Sequence, residues 1–250
     1  MDMRNHGEAP RSSIMDYPAL AADTLRAANL LRNRTSPALT SATTAFPAIP
    51  IPPSPAPPAP PPILLGHSMG GKAAMAASLV SPSDISALIV VDIAPVNYGT
   101  LRTVSNVADA MAKVPLSTAK TREEADAVLR STVTDDTLRR FIMTNYIPAR
   151  SPEGSASWKV NLDVIRSSMS VLAGFPLPPL LDNQTPRPFP GPALFLYGEN
   201  SDYVQPQHHS TIKQLFPQAE IKGLPTGHWV HAEDPDAFVD TVSNFLRGLN

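Results

Sequence analysis

Ser68 stands in Gly66-His67-Ser68-Met69-Gly70, with the apolar run Ile63-Leu64-Leu65 before it and the small-residue segment Ala73 to Leu79 behind it. A hydroxyl between glycines, at the junction of a strand-like and a helix-like segment, has the pattern of a nucleophile raised on a tight turn. Gly66 and Gly70 are expected there because side chains beside the serine would meet the neighbouring strand and helix. The helix that follows would set its N-terminus under the reacting centre, with the Met69 N–H aimed at a developing oxyanion. A serine hydroxyl is a weak nucleophile at neutral pH and needs a base, for which imidazole is suited. His228, in Thr226-Gly227-His228-Trp229, follows Ser68 and precedes the last helical segment, and is the candidate base. Of the other histidines, His231 is expected to fix that loop or cap the last helix, His208 and His209 to face solvent, and His67 to line the pocket or serve as scaffold. His228 and His231 have no companion ligands, so no metal site is expected, and nothing calls for a cofactor.

The elements that must position these groups follow from patterning. Ser86 to Asp92 and Ala193 to Tyr197 read as buried strands, Glu220 to Lys222 as a short one. Helices are predicted at Tyr17 to Arg32, Gln207 to Phe216 and Pro235 to Leu249. Between the first two strands after the serine, Ser105 to Lys113, Arg122 to Ser131, Asp135 to Tyr146 and Trp158 to Phe175 each show helical spacing. Four helices in succession break the β-α alternation and predict an inserted cap. The chain has 250 residues, a formal net charge of -2 and 42% hydrophobic residues, enough for one α/β domain without a basic stripe for nucleic acid. It has no cysteine, which excludes disulfides, thiolate metal sites and a cysteine nucleophile. Its longest apolar runs are strand-sized, too short for a membrane span, and Met1 to Gly7 has the character of neither a signal nor a transit peptide. Of its 29 prolines, eleven fall between Pro37 and Pro62 in a segment without charge. That segment is expected to be an extended, disordered insertion, since it can form neither a ladder nor a core. Pro52-Pro53-Ser54-Pro55 offers a P-x-x-P register for an SH3 or WW partner but lacks flanking arginines.

Gly66-His67-Ser68-Met69-Gly70-Gly71-Lys72, Val91-Asp92-Ile93-Ala94-Pro95, Phe141-Ile142-Met143-Thr144-Asn145, Asn161-Leu162-Asp163 and Gly227-His228-Trp229-Val230-His231-Ala232-Glu233 together resemble one branch of the α/β-hydrolases. That branch contains bacterial short-chain esterases, mitochondrial abhydrolase-domain proteins and yeast ethanol acetyltransferases. The likeness runs from Asp2 to about residue 32 and from Ile63 to near the C-terminus. It implies a mostly parallel sheet flanked by helices, a helical cap, and a Ser68, His228 and acid triad. The acid is open among three residues. A count from Gly198 to the common acid position lands on Ser201, with Asp202 beside it. The branch tends to carry serine there and to draw its acid from the end of the preceding strand, which is Asp92. Asp163 of the cap is the third candidate. With Asp92 as acid, Ser201 would be a hydrogen-bonding support for His228.

Family members carry strands ahead of the Asp2 to Gly7 segment, one of them leading into a His-Gly loop that supplies a second oxyanion donor. An incomplete core is therefore expected, with an open edge on the Ser68 strand. The expected organisation is residues 1–33 as the first part of the core, 34–62 as the insertion, 63–99 as the core with the nucleophile turn, 100–190 as the cap and 191–250 as the rest of the core. The resemblance implies a serine esterase or thioesterase acting on a small-molecule ester beneath the cap, without nucleic acid or membrane span. The alternatives are acyl transfer from acetyl-CoA to an alcohol, and a catalytically impaired fragment lacking the oxyanion loop. A mitochondrial location is implied by the resemblance alone, and a cytoplasmic one otherwise.

Overall fold

The computed structural model describes residues 1–33, 59–151, 153–176 and 187–249. Most of the proline-rich insertion, residues 34–58, lies outside the described residues. The chain divides into two compact units, Met1–Leu20 with Val96–Leu177, and Ala21–Pro95 with Pro178–Asn250. Along the chain run α1 (Tyr17–Asn33), β1 (Ile63–His67), α2 (Met69–Val80) and β2 (Ala87–Val91). There follow α3 (Arg102–Ala112), α4 (Arg122–Arg130), α5 (Asp136–Met143), β3 (Tyr146–Ile147), β4 (Ser157–Trp158), α6 (Leu162–Ser167) and α7 (Met169–Ala173). The last stretch holds β5 (Ala193–Gly198), α8 (His209–Leu215), β6 (Ala219–Leu224), α9 (Val230–Glu233) and α10 (Pro235–Arg247). Among the described residues no helix is long and apolar enough to cross a membrane.

The second unit is built on a parallel sheet in the order β1-β2-β5-β6. β2 is Ala-Leu-Ile-Val-Val and is buried at every position, as a parallel strand covered on both faces must be. Ala87, Ile89 and Val91 of β2 and Leu194 and Leu196 of β5 face Val230 and the α10 residues Phe238, Val242 and Phe245. On the opposite face Val90 points at Gly71 of α2, and Phe195, its neighbour in register, meets Phe216 with ring centroids 5.3 Å apart. α2 is buried from Gly71 through Leu79, and its Gly and Ala side chains allow that depth. Among the described residues β1 pairs with β2 alone.

In the first unit, a core of Met111, Leu129, Ile142, Tyr146 and Trp158 draws on α3, α4, α5 and the β3–β4 pair. Asn5, buried with φ 66°, ties the opening segment to this unit: its carbonyl accepts from Asn161 N at 2.8 Å, and its Oδ1 accepts from Ser12 N at 2.8 Å and Asn161 Nδ2 at 3.0 Å. α4 starts with a capping box between Thr121 and Glu124, and α5 with an Asp135 cap on Leu138 N at 2.7 Å. The four-helix expectation needs two corrections. An antiparallel pair joins Tyr146 to Trp158 and Ile147 to Ser157, and the stretch from Trp158 to Phe175 is two short helices. Trp158 and Val160 are buried in the core as strand and loop residues, and Trp158 stands four residues before Leu162 and seven before Ile165, a spacing that imitates a helix start.

Candidate active site

Every group in this site belongs to the second unit. β1 ends at His67, and Ser68 turns the chain into α2 with φ 52° and ψ -119°, a strained conformation for a residue with a side chain. The turn is held because Ser68 N donates to Val91 O at 3.0 Å and Ser68 O accepts from Lys72 N at 3.1 Å. A Cβ on Gly66 would strike the backbone of Gly70 and Gly71, and one on Gly71 would lie 2.7 Å from Ile93 Cγ2 and 2.9 Å from Gly66 O. Gly70, by contrast, has nothing within 4 Å of an added Cβ. The close approach of strand and helix is therefore set by Gly66 and Gly71, which corrects the expected role of Gly70. Met69 opens α2, so its N–H has no acceptor within the helix.

Asp92 lies just past the end of β2 with φ 48° and is fully buried. Its Oδ1 accepts from Gly198 N at 3.0 Å. Its Oδ2 accepts from Ser201 Oγ at 2.5 Å and lies 2.7 Å from His228 Nδ1. An ionised carboxylate can only accept, so with Asp92 ionised the proton between it and His228 lies on Nδ1. The Nε2 of neutral His228 is then an unprotonated acceptor. Ser201 bonds to Asp92 and not to His228, so any support it lends the imidazole passes through the carboxylate. Asp202 beside it is exposed, and Asp163 lies on α6 in the first unit.

His228 sits on the loop between β6 and α9. The Tyr203 ring packs on it at 4.3 Å between centroids, and the His67 ring at 4.6 Å. His67 Nε2 lies 2.9 Å from His228 O, which ties the loop to the residue before Ser68. Because a carbonyl only accepts, that nitrogen carries the proton. Burial first, and then the neighbouring His228, lower the His67 pKa to about 4, so it is a neutral donor at neutral pH. No hydrogen bond joins Ser68 Oγ to His228 in this arrangement. α10 is capped by Asp234, whose carboxylate accepts from Ala237 N at 3.0 Å, and not by His231. His208 and His209 are half-buried instead of solvent-facing. Among the described residues no group of three or more His, Asp or Glu side chains could hold a metal ion.

Residues 1–241 match the model of the alpha/beta hydrolase family. The chain belongs to that family. The sn-1-specific diacylglycerol lipase ABHD11 of Mus musculus is 37% identical over 98% of this chain and 70% of its own length. Esterase YbfF of Escherichia coli is 31% identical over 99% of this chain and 81% of its own. The solved structure of a marine microorganism esterase matches with a TM-score of 0.79 and 29% identity, covering 98% of this chain and 82% of that one. The parallel sheet with helices on both faces is thus an α/β-hydrolase core, and the expected branch is the one its relatives occupy.

Three parts of this hydrolase's site escape reading from sequence: the Gly198 N–H on Asp92, the Tyr203 ring on His228 and the Glu233 carboxylate near the His228 loop. The first is a backbone group, which any residue type carries. Glu233 left one usable signal, its place in the first turn after the histidine, where carboxylates meet free N–H groups.

Proposed function

We propose that this chain is a serine hydrolase of small carboxylic esters or thioesters, acting through an acyl-Ser68 intermediate. The observation that carries the proposal is the 2.7 Å contact of His228 Nδ1 with the buried Asp92 carboxylate, on a loop tied to the residue before the strained Ser68. With Nδ1 protonated, His228 Nε2 takes the Ser68 hydroxyl proton as Oγ attacks the ester carbonyl. The oxyanion so formed accepts from the Met69 N–H, whose place at the start of α2 adds the positive end of the helix dipole. His228 then gives its proton to the leaving alkoxide or thiolate, and the carbonyl–oxygen or carbonyl–sulfur bond breaks. Water, deprotonated by the same nitrogen, hydrolyses the acyl-serine and returns the proton to Ser68. Asp92 keeps its charge throughout and stabilises the imidazolium. The names of the esterase and lipase relatives support ester bonds as the substrate class.

A fluorophosphonate probe tests this directly. Wild type should label and hydrolyse p-nitrophenyl acetate, and Ser68→Ala and His228→Ala should do neither. Equal labelling of wild type and Ser68→Ala would overturn the proposal.

A further inference from the structure

The peptide group between His228 and Trp229 is gripped at both ends. Its carbonyl accepts from His67 Nε2 at 2.9 Å, and its N–H donates to Glu233 Oε1 at 3.1 Å. The other oxygen of Glu233 accepts from Gly227 N at 2.7 Å, on the far side of His228. The approach is close, since a Cβ added at Gly227 would lie 3.0 Å from Glu233 Oε1. A peptide unit is planar, so fixing its oxygen and its hydrogen sets the rotation of the whole plane, and with it ψ of His228 and φ of Trp229. The imidazole on that backbone is held at Nδ1 by Asp92 at 2.7 Å. A carboxylate on the N–H also polarises the peptide and strengthens its carbonyl as an acceptor for His67.

We infer that His67 and Glu233 are positioning residues that jointly clamp the His228–Trp229 peptide and so aim His228 at Ser68. This rests on the reading of Ser68 as nucleophile and His228 as base. Because both bonds restrain one rotation, releasing either end frees the plane, and releasing the second adds little. Their effects are therefore expected to be strongly less than additive.

Two readouts on the full chain separate the clamp from the chemistry. In His67→Leu, which keeps the Glu233 acceptor, amide hydrogen exchange at Trp229 should quicken by about fivefold, and in Glu233→Leu, which removes that acceptor, by at least as much, with no further gain in the double variant. Labelling of Ser68 by a fluorophosphonate should slow by about tenfold in each single variant and by about the same in the double. His67→Gln places an amide N–H at the same bond count from Cα as Nε2, and should recover labelling to within about threefold of wild type. Glu233 is exposed, so Glu233→Leu and His67→Gln keep the test available if His67→Leu fails to fold, which a heat-denaturation scan will show. Unchanged Trp229 exchange in the single variants overturns the clamp. A double variant slowed by about a hundredfold, the product of the singles, overturns the shared-plane account. Faster exchange with labelling at the wild-type rate overturns the positioning role. If Ser68→Ala labels as wild type does, the site reading falls and the positioning role with it, while the exchange result still shows whether the peptide is clamped.

Discussion

Replacing Gly71 by alanine and, separately, Gly70 by alanine should move stability in opposite directions. The two positions are adjacent in α2, in the first turn after Ser68, and neither has a positive φ. At Gly71 the new methyl would stand 2.7 Å from Ile93 Cγ2, 2.9 Å from Gly66 O and 3.2 Å from Val90 Cγ1. Ile93 can turn part of the way, but the Gly66 carbonyl is backbone of β1 and moves only if strand and helix part. Overpacking of this kind costs about 1–3 kcal/mol. At Gly70 the methyl meets nothing within 4 Å. There alanine lowers the entropy of the unfolded chain and favours the helix, a gain of about 0.4–1 kcal/mol. The separation between the variants is then about 1.4–4 kcal/mol, which for a chain of this size is a difference of roughly 3–16 °C in melting temperature. Differential scanning calorimetry of wild type and both variants at one pH reads it. Equal melting temperatures, or a Gly70→Ala variant less stable than Gly71→Ala, would refute the claim that Gly71 sets the approach of α2 to β1.

Asp92→Asn turns an acceptor for three donors into a group with an N–H₂ facing them, and should lower kcat for p-nitrophenyl acetate by about a thousandfold or more. Ser201→Ala leaves Asp92 its bonds from Gly198 and His228, so its cost should be smaller, about 1–2 kcal/mol by denaturant titration, with esterase activity retained in part. Burial lowers the Lys72 pKa to about 7, whereas an unfolded lysine holds its proton to about pH 10.4. The unfolded state therefore binds more protons between those values, and stability is lost as pH falls from about 10 to about 7. Comparing melting curves of wild type and Lys72→Met across that range should show the difference between them shrinking as pH rises, by at most about 1.4 kcal/mol per pH unit. His67 has the same sign at lower pH: its lowered pKa of about 4 makes stability fall further as pH drops from about 6.5 toward 4.

What the sequence discloses of this site depends on whether the backbone demands a residue type. The turn at Ser68 is legible because a φ of 52° and the crossing of α2 over β1 admit few side chains nearby, so glycines gather around it. Yet the same letters mislead on which glycine matters: Gly70 fits the motif's spacing, and Gly71 makes the contact. β2 and β5 are legible as strands because strands buried on both faces are continuous apolar runs. The β3–β4 pair, with two residues per strand, is too short for any period to register.

The acid could not be chosen from spacing because Asp92, Asp202 and Asp163 differ in something non-local. Asp92 reaches His228 across 136 positions only because β2 lies beside β5, whose end supplies Gly198 N–H, and the loop after β5 supplies Ser201. A carboxylate buried without such donors would be costly, so each donor offsets part of the cost of burying Asp92. The same reasoning extends to the histidine. A G-x-S-x-G and a distant Gly-His survive in a sequence whether or not the base is aimed. The bonds proposed to aim it, from His67 and Glu233 onto one peptide group, are made to backbone atoms and leave no mark in the motif itself. A decayed site and a working one would thus differ first at residues outside the triad, and those are the positions at which activity among such chains should be compared.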